Sequence, residues 1–236
     1  MKRIAIIPAR GGSKRIPKKN IRDFLGKPII SYSIQAALDS QLFDEVMVST
    51  DDEKIAEIAQ TLGAKVPFLR SLNSSSDFAT TLDVIEEVIQ EYSKLNQEFN
   101  EICCIYACAP FVSKEKLISS FELMQSEGFD SIFPIIAYGF PIQRALKLNH
   151  GKVSFINQEN SSIRSQDLET NFHDAGQFYW MKSKVLIEKK IITNNTGGVI
   201  ISELEGQDID NEVDWKLAEL KYEILQSIRL SNISQR

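Results

Sequence analysis

The first patterned segment, RIAIIP at Arg3–Pro8, limits the folds open to this chain. Its unbroken isoleucine-rich run suits a strand covered on both faces, as in a parallel sheet. Parallel neighbours need crossover connections, usually helical, and the sequence supplies them. PIISYSIQAALDS sets Ile30, Ile34, Ala37 and Leu38 at helical spacing, with Pro28 expected in the first turn. EVMVST at 45–50 predicts a second strand. TDDE at 50–53 predicts a capping box for a helix that closes at Gly63. A helix is expected over 80–95 and a third buried strand over 102–109. Another helix follows from an N-cap at Ser113 to Glu127, and then a fourth strand in SIFPIIAY. This alternation predicts an α/β fold with a doubly wound, mostly parallel sheet.

The alternation breaks near Tyr138. Residues 144–156 read as two short strands around Asn149-His150-Gly151-Lys152, a hairpin signal. QFYWMK and GVIISE resume strands, and VDWKLAELKYEILQSI predicts an amphipathic helix. The excursion at about 138–176 therefore reads as a small insertion in one domain spanning 1–236.

Composition narrows the function. The net charge of −5 and the lack of a long basic run argue against a nucleic-acid partner. No run reaches the ~18 apolar residues of a membrane span. The N-terminal apolar run is too short for a signal peptide, so a cytoplasmic location is expected. Cys103, Cys104 and Cys108 fit no metal or disulfide spacing and are expected as reduced thiols in a buried strand.

Against the acidic whole, the loop after the first strand is strongly basic. Arg10, Lys14, Arg15, Lys18, Lys19, Arg22 and Lys27 stand against Asp23 alone. In doubly wound folds this loop lies at the carboxyl ends of the strands, where ligands bind. Gly11 and Gly12 would let backbone N–H groups approach phosphate oxygens. Arg10 and Lys14 would neutralise those oxygens, with Lys19 a third candidate. Neither the Walker A nor the dinucleotide glycine pattern is present. The loop reads as a polyphosphate or nucleotide site, with a solvated basic loop as the plain alternative.

Near the other end, Asp208 and Asp210 alternate in GQDIDNEVDW. In an extended segment both carboxylates face one side and suit Mg²⁺ alongside phosphate oxygens. The alternative is that one aspartate, or Asn211, caps the last helix, with Asp214 in its first turn.

The strand followed by ARGGSKRIPKKN resembles the signature of the acylneuraminate cytidylyltransferases, the CMP-sialic acid synthetases. GKPIISYSIQAA, VMVSTDDEKIAEIA and DIDNEVDW are similar to later segments of that family. The resemblance implies a Rossmann-like nucleotidyltransferase that joins CTP to a nine-carbon 2-keto sugar acid and releases pyrophosphate. It makes Arg10, Lys14, Lys19 and Asp210 the catalytic candidates, and Asp208 and Asp210 the Mg²⁺ ligands. Pro8, Ala9, Arg10, Gly11, Ser13, Asn20, Arg70, Ala79 and Thr81 become nucleotide contacts, with Asp77 part of the same matched stretch.

On the sugar side the chain departs from the family. Tyr106 stands where many members carry glutamine, and Gln143 stands in place of a lysine, with Arg144 adjacent. Arg164 matches an arginine suited to a sugar carboxylate. FHDAGQFYW, with Gln177 and Tyr179, resembles the subgroup acting on pseudaminic acid. Tyr106, Phe178, Tyr179 and Trp180 would supply an aromatic pocket, although strand periodicity lets only alternate residues face it. N-acylneuraminate or legionaminate is the alternative substrate. The resemblance also implies a homodimer, with the excursion as its arm and Arg164 a candidate to complete a neighbour's pocket. Two rivals remain: a nucleotide-binding regulator without turnover, and a scaffold whose basic loop binds an acidic partner.

Overall fold

Burial on both faces settles the first strand. Ile4, Ala5, Ile6 and Ile7 of β1 (Arg3–Pro8) are fully buried. The computed structural model describes residues 1–234. β2 (Asp23–Phe24) and β3 (Lys27–Pro28) form a tiny antiparallel pair. β4 (Glu45–Ser49) and β5 (Glu101–Ile105) flank β1 in parallel register.

Beyond β5 the sheet takes β6 (Ser131–Ala137), β10 (Phe178–Lys182) and β11 (Thr196–Ile201), in the spatial order β11-β6-β10-β5-β1-β4. β10 runs antiparallel between β5 and β6, whereas β11 is parallel to β6. Between β6 and β10 the chain makes the hairpin β7 (Leu146–Asn149) and β8 (Lys152–Phe155). It returns as β9 (Phe172–Asp174), antiparallel to β6. The result is the expected α/β architecture: a mostly parallel sheet with a hairpin-bearing insertion.

The helices are α1 (Ile30–Ser40), α2 (Glu53–Thr61), α3 (Thr81–Lys94), α4 (Lys114–Ser126), α5 (Lys184–Glu188) and α6 (Glu212–Ser234). On one sheet face, Ile34 of α1, Ala59 of α2 and Leu117 of α4 pack with Ile7, Cys103 and Trp180. On the other, Ile85 and Val88 of α3 and Val185 of α5 pack with Ile6, Cys104 and Tyr179. Trp180 stacks on Phe43 at 4.9 Å between ring centres and donates to the Leu117 carbonyl at 3.2 Å. Truncating such a side chain to alanine costs roughly 3–5 kcal/mol. A third cluster fastens the basic loop to α6 through Ile16, Phe24, Ile209 and Trp215.

Several boundaries differ from expectation. Pro28 belongs to β3 rather than to the first turn of α1, because Leu25 (φ 52°) and Gly26 (φ 93°) turn the chain tightly just before it. Asp52, not Thr50, caps α2: its carboxylate accepts from the N–H groups of Lys54 and Ile55, at 2.9 and 3.0 Å. Thr50 instead accepts from the Asp52 N–H at 3.1 Å. β5 ends at Ile105, and the chain then turns toward Pro110, which has no N–H for a ladder. Cys108 therefore lies outside the strand, partly buried, while Cys103 and Cys104 are fully buried within it.

The other ends agree closely. Thr80 and Asp83 form a capping box at the start of α3, and Ser113 caps α4. His150 (φ 47°) and Gly151 (φ 77°) give the hairpin turn its two left-handed residues, as a primed turn requires.

Candidate active site

β1, β4 and β5 are mutually parallel, so their carboxyl ends deliver three loops to one edge of the sheet. At that edge the loops after β1 and β5, the connection from α2 to α3 and the segment before α6 enclose a cleft of about 500 Å³. Pro8, Arg10, Ser13, Lys14, Arg15 and Lys19 line it from the β1 side. Arg70, Asp77, Ala79, Thr81, Tyr106 and Asp210 close it from the others.

The loop is held by its own polar groups. Asn20 donates to the Arg10 carbonyl at 2.9 Å and accepts from the Cys108 thiol at 3.1 Å. The Gly11 N–H, expected to meet phosphate, donates instead to Asp51 at 2.8 Å. A β-carbon on Gly11 would lie 2.8 Å from the Asp52 carboxylate, so the cap of α2 demands glycine there. Neither Gly11 nor the fully buried Ala9 lines the cleft; both shape the loop behind it.

The cations converge as the sequence suggests, but on protein carboxylates. Arg10 reaches Asp77 at 2.8 Å, and Lys14 pairs with the second oxygen of the same carboxylate. Hydrogen bonds from Lys14, then from Arg10, hold the Asp77 carboxyl below its ordinary range. One carboxylate thus bridges two side chains assigned to phosphate. Arg70 is buried, donates to Ser49 Oγ at 2.9 Å and to the Ser49 carbonyl, and pins the end of β4.

The acidic segment meets the basic loop. Lys19 Nζ donates to the Ile209 carbonyl at 2.6 Å, and Arg15 pairs with Asp210 at 2.7 Å. Burial, followed by the charge of Asp210, raises the Asp208 carboxyl above its ordinary range, with Lys19 opposing. Asn211 takes the capping role: its side chain accepts from the N–H groups of Val213 and Asp214. Asp214 accepts from Asp210 and Asn211, so neither Asp208 nor Asp210 is spent on the helix. Among the described residues, no group of three or more His, Cys, Asp or Glu side chains could hold a metal alone. Asp210 lines the cleft and Asp208 the smaller pocket next to it; two such carboxylates suit Mg²⁺, which keeps waters and takes phosphate oxygens as further ligands.

Tyr106 separates this cleft from a pocket of about 150 Å³ that Lys19, Cys108, Gly176 and Asp208 also line. Its neighbour Tyr179 donates to Asp174 at 2.7 Å. Phe178 and Trp180 point to the opposite sheet face and are core, and Tyr179 is buried in the core of its own face, so of the four expected aromatics only Tyr106 lines a cavity. Gln177 is buried; its side-chain N–H donates to the Glu205 carbonyl, and its backbone carbonyl accepts from Tyr106.

Three expected sugar contacts lie elsewhere. Gln143 donates to the Glu169 carbonyl at 2.8 Å, Arg144 reaches Ser165, and exposed Arg164 grips Asp167 at 2.7 and 3.2 Å. All three are used within the excursion, which folds on itself, and none lines the cleft. Asp51 and Asp174 were not expected. Asp174-Ala175-Gly176 carries the signal for the second: the Gly176 N–H occupies one Asp174 oxygen at 2.8 Å and leaves the other for a partner.

The family model described as "Cytidylyltransferase" matches residues 4–229. A pseudaminic acid cytidylyltransferase of Campylobacter jejuni is 42% identical over 226 residues, which covers 95% of this chain and 97% of the relative. N-acylneuraminate cytidylyltransferase A of Danio rerio is 36% identical over 220 residues, covering 91% of this chain and 49% of that protein. A solved structure of CMP:2-keto-3-deoxy-manno-octonic acid synthetase complexed with CTP superposes with a TM-score of 0.69 at 18% identity. It covers 96% of this chain and all of that one, a likeness of fold.

Proposed function

The chain belongs to the cytidylyltransferase family, and from that premise we propose that it transfers CMP from CTP to the anomeric hydroxyl of pseudaminic acid, releasing pyrophosphate. One observation carries the reading. The basic loop and the late aspartates, about 190 residues apart in sequence, join through Lys19 with Ile209 and Arg15 with Asp210 at one cleft. A rival role as an acidic-partner scaffold would not call for that convergence.

The protein's work is to position reactants and neutralise charge. Arg10, Lys14 and Lys19 bind the triphosphate, with Asp77 giving up Arg10 and Lys14 as the phosphates arrive. Asp208 and Asp210 would hold Mg²⁺, which when bound neutralises phosphate charge and stabilises the departing pyrophosphate. Asn20 holds the loop in register while the sugar hydroxyl attacks the α-phosphate in line.

For the sugar, the reading rests on two Campylobacter jejuni relatives named for pseudaminic acid at 41–42% identity, above the N-acylneuraminate enzymes at 33–36%, although a third relative so named, from Helicobacter pylori, stands at 35%. Tyr106 supplies the aromatic wall on this side, with the buried Tyr179 packed behind it. The excursion acts as the arm of a homodimer: Phe140, Leu146, Leu148 and Val153 are exposed along it. Arg164 then serves a neighbour's pocket. Among the described residues, no helix is long and apolar enough to cross a membrane. We assign the reaction to the cytoplasm, where CTP is available, and the unpaired thiols support that assignment.

Pyrophosphate release with CTP, Mg²⁺ and each sugar acid tests the reading. Fast release with pseudaminic acid and slow release with N-acetylneuraminic acid is expected. Equal turnover of the two removes the pseudaminate assignment, and nucleotide binding without release makes the chain a regulator.

A further inference from the structure

The loop after β1 and the loop after β5 are joined by one side chain. Asn20 is buried, at 8% exposure, and lies between the nucleotide cleft and the smaller pocket, lining both. Its neighbours fix which end of the amide is which. The Arg10 carbonyl can only accept, so the amide N–H must face it, at 2.9 Å. The amide oxygen is thereby turned to the Cys108 thiol, which donates to it at 3.1 Å. Burial pushes that thiol up to about 12, so the donated proton is present at neutral pH.

Among the described residues no other donor reaches the Asn20 oxygen, and the second amide N–H has no partner. A thiol is a weak donor, but removing it leaves a buried oxygen unsatisfied, and that is the larger cost. Cys108 itself lines the smaller pocket and not the nucleotide cleft. The tie from Cys108 through Asn20 to Arg10 therefore links the segment that carries Tyr106 to the loop that carries the phosphate cations.

We infer that Cys108 is a positioning residue for nucleotide binding: its thiol fixes the Asn20 amide, and through it the Arg10 backbone, so that the second amide N–H is held for an acceptor oxygen of CTP. The inference rests on the CTP reading above and deepens it.

Calorimetric binding of CTP to variants of Cys108 tests it. Cys108→Ser keeps a donor and should bind CTP within about twofold of the wild type, whereas Cys108→Ala and Cys108→Val lose the donor and should bind about three- to tenfold more weakly. A thiol that only fills space gives the opposite order, because valine keeps the packing and serine buries a more polar group. Valine binding as well as serine, or better, overturns the inference. In an Asn20→Ala background, Cys108→Ala should weaken CTP binding by less than about twofold, and an undiminished loss there also overturns it. If Cys108→Ala fails to fold, the contrast of serine with valine decides. If the wild-type protein binds no CTP, the functional reading fails instead, and hydrogen exchange at the Asn20 side-chain amide, followed by nuclear magnetic resonance, decides the tie. Slow exchange in the wild type and Cys108→Ser with fast exchange in Cys108→Ala supports it, and equal rates overturn it.

Discussion

The loop after β1 and the excursion between β6 and β10 are both polar connections of similar irregularity, yet they end differently. The loop spends most of its groups on the rest of the chain: Asn20 on Cys108, Lys19 on Ile209, Gly11 on Asp51. The excursion spends its groups on itself, with Arg164 on Asp167 and Gln143 on Glu169, and leaves Leu146, Leu148 and Val153 bare. A segment tied to distant residues builds a site within one chain. A segment tied to itself, with an apolar face outward, builds no site in its own chain and offers that face to the dimer proposed above.

The largest expected effect attacks the site. Asp210→Ala should lower Mg²⁺-dependent turnover by at least about a hundredfold while the circular dichroism spectrum stays unchanged. Near-normal turnover would show that the acidic segment serves no metal. Arg10→Ala comes next: it removes a charge-assisted contact of roughly 1.5–3 kcal/mol, so calorimetry should show clearly weaker CTP binding. Unchanged affinity would return the loop to solvated surface.

Leu148→Glu probes the excursion. A charge on its bare face should convert a dimer to monomer in light scattering and leave CTP binding by each chain in place. A wild-type chain that is already monomeric breaks the contrast drawn here. Asp77→Asn frees Arg10 and Lys14 of their carboxylate, and CTP binding should tighten by no more than a few-fold, because an exposed ion pair is worth little. Since those two cations hold the Asp77 carboxyl low, the contact persists through the neutral range and the gain should not vary with pH there.

The smallest effect concerns stability. Asp208 titrates above its ordinary range in the folded chain, so the folded chain keeps a proton that the unfolded chain has already lost. Stability therefore falls as pH rises between the ordinary value and the raised one. In metal-free protein, Asp208→Asn should melt above the wild type at neutral pH, and the excess should disappear below the ordinary carboxylate range. A lower melting temperature at neutral pH would contradict the burial cost.

What could be read from the sequence follows the same divide. Ile4 to Ile7 announced a strand covered twice because every residue of the run is buried, and Ser113 announced its helix because a cap is local. Arg10 and Lys14 could be placed at one site because charge clustering survives in the linear order, and Asp210 joined them only through the resemblance. Long-range partners could not. Nothing in the spelling of Gly11 says that Asp52 presses on it, and nothing in Lys14 says that Asp77 answers it. Phe178 and Trp180 were open to a pocket role because a strand's alternation names two faces without saying which is core. Gln143, Arg144 and Arg164 looked like sugar contacts through resemblance alone, and the fold of one chain keeps them out of its own cleft.

Anomalous scattering from a crystal soaked with Mn²⁺ and a non-hydrolysable CTP analogue addresses the meeting of loop and acids most directly. One metal peak shared by Asp208, Asp210 and a phosphate oxygen is expected, with the triphosphate against Arg10 and Lys14 and Asp77 displaced from both. A triphosphate bound away from that loop, or a metal with neither aspartate among its ligands, would contradict it.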